Sequence, residues 1–325
     1  MRAVFSKWFW LKTVAVVAPA LLAVVAPVQA QVVPGTGHKV DQVGDDFEDP
    51  EWGYIYNFPK ASEEQDEQTR MPGGFSKNRR WNESALRGNP DHLRLLPTPP
   101  GGLPGSTGSM LIMSRDTGIP GRPGHQMQQD DLLMNCQSRM GGNIPVSRTP
   151  NFVVRVFVPP FEEFEQRKGI TFGVRAGVFA PRTKTEESGG LVGLFGGSRT
   201  TTSMEPYWPG FFVTFDPAAY KQGKEDACHF LLRATERGHD FRGPVITQSG
   251  WWTLGMSFTP DGRVHWYAKP GVENLTAADH LASRFSYGMR AQSFETVFFN
   301  ICSPDNTRTW STPWIVDDVE LYLGR

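Results

Sequence analysis

Acidic residues near both ends of this 325-residue chain are the first candidates for chemistry. Asp45-Asp46-Phe47-Glu48-Asp49 precedes Trp52, and Asp317-Asp318-Val319-Glu320 lies inside the last apolar stretch, Trp314 to Leu323. Read at a period of two, Ile315, Asp317, Val319, Leu321 and Leu323 share one face, which puts the Asp317 carboxylate among core residues. A buried charge is costly unless it is paired or ligates a metal. If the two ends pair as strands of one sheet, their acids either hold a structural calcium ion or cap each other through backbone bonds.

A second set lies in the middle of the chain. Arg155, Arg175, Thr214, His229, Arg233, His265, Tyr267 and Lys269 fall opposite the apolar positions of their strand-like runs. If those outer faces form one concave surface, the set lines a groove that is basic, aromatic and hydrogen-bonding. Planar side chains stack on sugar rings, and guanidinium pairs bidentately with carboxylate or sulfate. The expected ligand is a glycan, with anionic polysaccharide as the specific form; solvated outer faces of ordinary strands are the alternative. Trp252 and Trp266 fall on apolar faces and read as core. Trp251 falls opposite and is the stacking candidate, and Trp208 belongs at a groove mouth. His265 and Tyr267 share a face and would be the acid/base pair if the groove is catalytic.

Metal and thiol chemistry is constrained by what the sequence omits. With no Cys-x-x-Cys, His-x-His or His-Glu-x-x-His, a zinc site is not expected. Cys228 and Cys302 lie in strand-like runs and are the expected disulfide pair, leaving Cys136; three buried thiols are the alternative.

The elements that must position these residues are strands. Arg2, Lys7 and Lys12 lead into an apolar run, Thr13 to Val28, and Val28-Gln29-Ala30 fits a signal-peptidase site. Residues 1–30 therefore read as a signal peptide, the protein as exported, and the mature chain as having no membrane span. Losing those three basic residues takes Lys+Arg from 33 to 30 against 34 Asp+Glu, a net charge near −4, which excludes nonspecific nucleic-acid binding. Residues 31–44 read as a flexible tether. From residue 45 to 325, alternating runs recur between turn-rich connections, among them Phe152 to Val158, Ile170 to Val178, Phe211 to Phe215 and Phe230 to Ala234. Trp252 to Phe258 and Val264 to Ala268 form a hairpin about Thr259-Pro260-Asp261-Gly262. Pro181 to Pro206 reads as a long loop holding a glycine-rich insertion, and Ala277 to Ser286 as the one helical turn. No internal repeat is present. The pattern predicts one all-β domain, an antiparallel two-sheet jelly-roll sandwich with long loops.

The acidic segments at the two ends, together with the hairpin Trp251 to Ala268, resemble the concanavalin A-like lectin/glucanase superfamily, including jelly-roll carbohydrate-binding modules and laminin G-like domains. The resemblance implies a structural calcium held by Asp317 or Asp318 with Asp46 or Glu48. It also implies two enzyme alternatives. The Glu-x-Asp-x-x-Glu strand of the glucanases is missing, because Glu64-Gln65-Asp66 has Thr69 where the last acid would stand. Jelly-roll polysaccharide lyases use an Arg, a His or Gln and a Tyr, which here would be Arg175, His265 and Tyr267; the lyase Tyr-Phe-Lys-x-Gly-x-Tyr block is echoed at Tyr267 to Glu273, with Glu273 where the reactive tyrosine belongs. The expectation is an exported, non-catalytic, lectin-like carbohydrate-binding protein. The alternatives are a polysaccharide lyase or glycoside hydrolase of the same fold, or a structural or adhesive envelope protein.

Overall fold

The computed structural model describes residues 32–187, 198–220, 225–233 and 235–324. The expected signal peptide and the glycine-rich stretch Gly189 to Gly197 lie outside the described residues. In chain order the strands are β1 (His38–Lys39), β2 (Tyr54–Ile55), β3 (Phe75–Ser76), β4 (Trp81–Glu83), β5 (His92–Pro97), β6 (Gly108–Met113) and β7 (Met127–Met134). There follow β8 (Ile144–Pro145), β9 (Asn151–Val158), β10 (Gly169–Glu187), β11 (Ser198–Tyr207), β12 (Gly210–Asp216) and β13 (Ala227–Arg233). The last six are β14 (Asp240–Ile246), β15 (Gly250–Phe258), β16 (Val264–Pro270), β17 (His280–Arg284), β18 (Ser293–Pro304) and β19 (Trp314–Leu323).

The first sheet runs β17-β16-β15-β9-β19-β6-β5, with β1 also on β19. The second runs β14-β13-β12-β10-β18-β7-β4-β3-β2, with β11 on β10 and β8 on β18. Neighbouring strands are antiparallel, giving the jelly-roll sandwich that the alternation predicts. Strands of period two bury one residue in two, and the buried aromatics meet in a continuous spine between the sheets. Phe47 stacks on Trp81 at 6.0 Å, Trp81 on Phe299 at 5.4 Å, Phe299 on Phe172 at 5.9 Å and Phe172 on Trp314 at 4.7 Å.

The two chain ends do lie together. His38 and Lys39 pair with Leu323 and Tyr322, and Asp45 and Val319 exchange two backbone hydrogen bonds of 3.0 and 2.9 Å. Residues 32–44, within the segment read as a tether, are packed: Val40 and Val43 are buried, and the Val40 amide donates to the Leu321 carbonyl of β19. Asp45 is buried and accepts from the Trp52 and Trp81 indole N–H groups at 3.1 and 3.0 Å and from Asn78 Nδ2 at 2.9 Å.

A bulge corrects the face assignment of the last strand. Between the pairs Asp317–Arg155 and Glu320–Val153, Asp318 and Val319 stand against the single residue Val154, and Asp318 adopts φ +43°. Trp314 and Val316 point into the core before the bulge; Val319, Leu321 and Leu323 do so after it. Asp317 is thus on the outer face.

Three further expectations change. The expected Cys228–Cys302 disulfide is not formed: Cys136, Cys228 and Cys302 are free buried thiols. Within the stretch read as a loop, Pro181 through Glu187 of β10 pair with Ser198 through Met204 of β11. The 277–286 helix shrinks to the 3-10 turn Ala277–Asp279, after which β17 pairs with β16.

Candidate functional site

The predicted groove residues divide between the two sheets and so cannot converge on one surface. Arg155 (β9), Trp251 (β15) and His265, Tyr267 and Lys269 (β16) belong to the first sheet; Arg175 (β10), Thr214 (β12) and His229 and Arg233 (β13) belong to the second.

The first sheet's outer face is covered. Gly255 pairs with both Val153 and Tyr267, and a Cβ there would stand 2.6 Å from Leu275 and 2.6 Å from Pro34. The missing side chain lets the 271–276 connection and the N-terminal segment settle onto the sheet. Tyr267 is fully buried with Val153, Leu275 and Val33, its hydroxyl has no hydrogen-bond partner, and burial pushes its pKa up to about 12. Arg155 is 3% exposed and donates to Glu320 Oε2 at 3.1 Å, Asn274 Oδ1 at 3.2 Å and the Val272 carbonyl at 3.3 Å. Lys269 Nζ caps the Asn274 carbonyl. Trp251 packs edge-on against Phe157 and donates to the Pro99 carbonyl at 3.3 Å. The Thr259 hydroxyl donates to Asp261, so its oxygen accepts from His265 Nε2, and His265 Nδ1 in turn accepts from Ser283 at 2.6 Å. Burial, with His280 and Arg263 adding, lowers the His265 pKa to about 4.

The acids proposed for calcium do not form one ligand set. Glu48 accepts from the Thr107 and Gly108 amides at 2.8 and 3.1 Å. Asp317 accepts from Ser106 Oγ at 2.7 Å and the Asp318 amide at 2.8 Å, with burial raising its pKa to about 7. Asp46 and Asp318 line a polar cavity of about 490 Å³ beside Lys39, Arg80 and Arg139. Burial raises the Asp318 pKa to about 6, Glu320 and Asp46 adding to it and Arg155 opposing. Among the described residues no group of three or more His, Cys, Asp or Glu is arranged to hold a metal. A cation also wants six to eight oxygens, and Glu48 and Asp317 are engaged as caps. Of the four acids that the resemblance implies, Glu48 and Asp317 are thus engaged as caps, and Asp46 and Asp318 face the cavity.

The second sheet's outer face is open. Strand register lays its side chains in transverse rows: Leu231, Phe212, Gly173, Asn300 and Asp131 in one, Arg233, Gly210, Arg175, Phe298 and Leu133 in the next. A cleft of about 550 Å³ opens over this face, with Asp131, Arg175 and Phe298 on the sheet, Arg87 on one side, and Trp208 and Glu295 on the other. Arg175 is buried, donates Nε and a terminal nitrogen to the Trp208 carbonyl at 3.1 and 2.8 Å, and lies 5.1 Å from the Phe212 ring and 5.3 Å from that of Phe298. Burial lowers its pKa to about 10. Asp131 accepts from Asn300 Nδ2 and stands 3.7 Å from Arg87; burial raises its pKa to about 6, with Arg87 and Arg175 opposing. Burial also raises the Glu295 pKa. Beside the cleft, Arg233 forks onto Asp240 at 2.7 and 2.9 Å, lies 4.9 Å from Phe212 and stands near the Tyr287 phenol. Tyr287 adopts φ +59°. Among the described residues, Asn300 Oδ1 is buried without a hydrogen-bond partner.

Sequence reading placed Arg175 and Trp208 at this site and missed Asp131, Glu295, Tyr287, Phe298 and Asn300. The Asp130-Asp131 pair inside a strand was the one visible signal. His229 on β13 and Thr214 on β12 lie on the same sheet face, one row beyond Leu231 and Phe212.

No protein-family model matches the chain, and no curated protein matches its sequence. Similar solved structures include the carbohydrate esterase vb_24B_21 from the Shiga toxin-encoding bacteriophage phi24B, at 9% identity and TM-score 0.41, covering 84% of this chain and all of that one. A GH131 β-glucanase catalytic domain from Podospora anserina aligns at 11% identity and TM-score 0.37, over 75% of this chain and 79% of that one. The Emp47p carbohydrate recognition domain aligns at 8% identity and TM-score 0.32, over 73% and 90%. These are likenesses of fold alone.

Proposed function

We propose that this protein is an exported, non-catalytic glycan-binding protein whose site is the cleft over the second sheet. The observation that carries the reading is the lining itself: two aromatic planes, Trp208 and Phe298, beside polar groups already fixed in place, Arg175 and the Asp131–Asn300 pair. Rings meet the C–H faces of sugars and fixed polar groups meet their hydroxyls. The lining holds four carboxylates, Glu63, Glu64, Asp131 and Glu295, against two guanidiniums, Arg87 and Arg175. Both guanidiniums are engaged, so the balance favours an uncharged glycan over the anionic one expected from the sequence. Hydrolysis by the two acids with raised pKa is not supported. Asp131 stands opposite Asn300, and Glu295 is five residues further along β18, about 16 Å of backbone, so the two are not strand neighbours.

One observation favours a second reading, β-elimination from a uronate. The Tyr287 phenol sits on Arg233 and within electrostatic reach of Arg175, a base candidate beside two cations, whereas His265 and Tyr267 are sealed in the other sheet. A single panel separates the readings: retention of the protein on neutral and uronate polysaccharides, with ultraviolet detection of unsaturated product. Retention on neutral chains that Trp208→Ala abolishes, without product, is expected. Product formation lost in Tyr287→Phe would establish the lyase instead. Retention on no polysaccharide ends the glycan reading.

A further inference from the structure

We infer that Lys60 and Asp130 join in an intramolecular amide cross-link, with Asp91 carrying the proton that the reaction moves. Lysine is almost never fully buried unless it is paired. Here the Lys60 and Asp130 side chains are both fully buried, and that of Asp91 is 13% exposed. Lys60 Nζ stands 2.6 Å from Asp130 Oδ2, 2.8 Å from Asp91 Oδ1 and 3.0 Å from the Asp116 carbonyl. Its stem is held as closely. A Cβ on Gly88 would stand 2.3 Å from Lys60 Cβ and 2.9 Å from both Cγ and Cδ, so glycine is what leaves room for the stem.

These surroundings suit the condensation of an amine with a carboxylic acid. Two carboxylates share one ammonium away from water, where the desolvation of an ion pair can exceed its Coulombic gain. Burial raises the Asp130 pKa to about 7, Lys60 opposing and Asp91 adding to it. A proton passed from Nζ to Asp130 Oδ2 gives a neutral amine beside a neutral acid, with no change in buried net charge. Against burial, the two carboxylates raise the Lys60 pKa, so the neutral pair is the minor form. Contact compensates, because well-oriented groups reach effective molarities of about 10⁵–10⁸ M.

The Nζ lone pair attacks Asp130 Cγ, one bond beyond Oδ2, and the N–C bond forms while the carbonyl electrons move onto Oδ1. Oδ1 already accepts from the Gly118 amide at 3.1 Å, which stabilises that charge. Asp91 takes a proton from Nζ and delivers it to the Oδ2 hydroxyl, which leaves as water when the C–O bond breaks. The Ser114 hydroxyl, 2.6 Å from Asp130 Oδ2, holds the leaving oxygen. Asp91 ends as the carboxylate it began as, its Oδ2 fixed by the Arg115 and Asp116 amides at 2.8 and 2.7 Å. The product replaces two buried charges with one amide and ties residue 60 to β7 across 70 residues of chain. The cross-link is a property of the chain itself and does not depend on the cleft.

The test is peptide mapping by mass spectrometry of the full chain, denatured and digested with trypsin. Trypsin needs a free lysine side chain and spares Arg122 before Pro123. The expected product is residues 40–70, uncut at Lys60, joined to residues 116–139 and lighter than their sum by one water. Fragmentation should place the bond between Lys60 and Asp130. Asp91→Asn keeps both partners and should slow cross-linking about a hundredfold or more, read as the linked fraction against time after synthesis. Wild type that is cut at Lys60, with residues 116–139 recovered unlinked, overturns the proposal whatever the variant does. So does a bond from Lys60 to residues 88–94, which hold Asp91. Cross-linking at an unchanged rate in Asp91→Asn overturns the part given to that acid.

Discussion

The two outer faces of this sandwich are made by the same alternation and end in opposite conditions. On the first sheet, Gly255 leaves a depression that Pro34 and Leu275 fill, and Arg155, His265 and Tyr267 become buried structural groups. On the second sheet, Gly173 and Gly210 keep the face low as well, but the flanking residues Arg87 and Trp208 stand at its sides and leave a cleft. Outward-pointing is therefore not the same as exposed. Polar residues opposite a core become a binding face only where no remote segment settles on them.

The sharpest way to break this comparison is a pair of tryptophan deletions. Trp251→Ala, on the sealed face, should cost about 3–5 kcal/mol of stability and leave glycan retention unchanged, read by urea denaturation and affinity electrophoresis. Trp208→Ala, on the open face, should abolish retention with little loss of stability. The opposite pattern would exchange the roles of the faces.

Acidification gives the next largest effect, with opposite sign at His265 and at Asp131. The His265 pKa in the folded chain, about 4, lies below its unfolded value, so the folded state binds fewer protons and stability falls as pH drops from about 6.5 through 4. The full effect is about 3 kcal/mol, and a His265→Asn variant should lack it. Asp131 is the reverse case: its folded pKa of about 6 lies above the unfolded value, so its term gains stability as pH falls from 6 toward 4. Urea midpoints at neutral pH and near pH 4 for wild type, His265→Asn and Asp131→Asn would show the two trends diverging. Parallel trends would mean that His265 and Asp131 do not carry these two contributions.

The smallest effect is the most diagnostic of sealing. Tyr267→Phe removes a buried hydroxyl without a partner and should be neutral or stabilising by about 1 kcal/mol, with retention untouched. A loss of binding would place Tyr267 in a site after all.

Much of this architecture was legible in one dimension. The pairing of the chain ends followed from the acidic runs around Phe47 and Val319, and Trp252 and Trp266 were core on their alternation alone. Other residues were misplaced for identifiable reasons. Asp317 was assigned inward because a strict period of two cannot anticipate the bulge at Asp318, which moves every following residue to the other face. Cys228 and Cys302 shared strand character without sharing a bonding geometry. Asp131 was passed over because its role depends on Arg87, Arg175 and Asn300, which lie 44 to 169 residues away in the chain.

Period and composition fixed the strands, their inward faces and the aromatic spine, because those depend on near neighbours and on the removal of apolar surface from water. Which outward face stayed open, and which acids became caps, was decided by where distant loops came to rest. Local alternation reports the side of the sheet on which a residue stands; burial above it depends on chain segments that alternation does not describe.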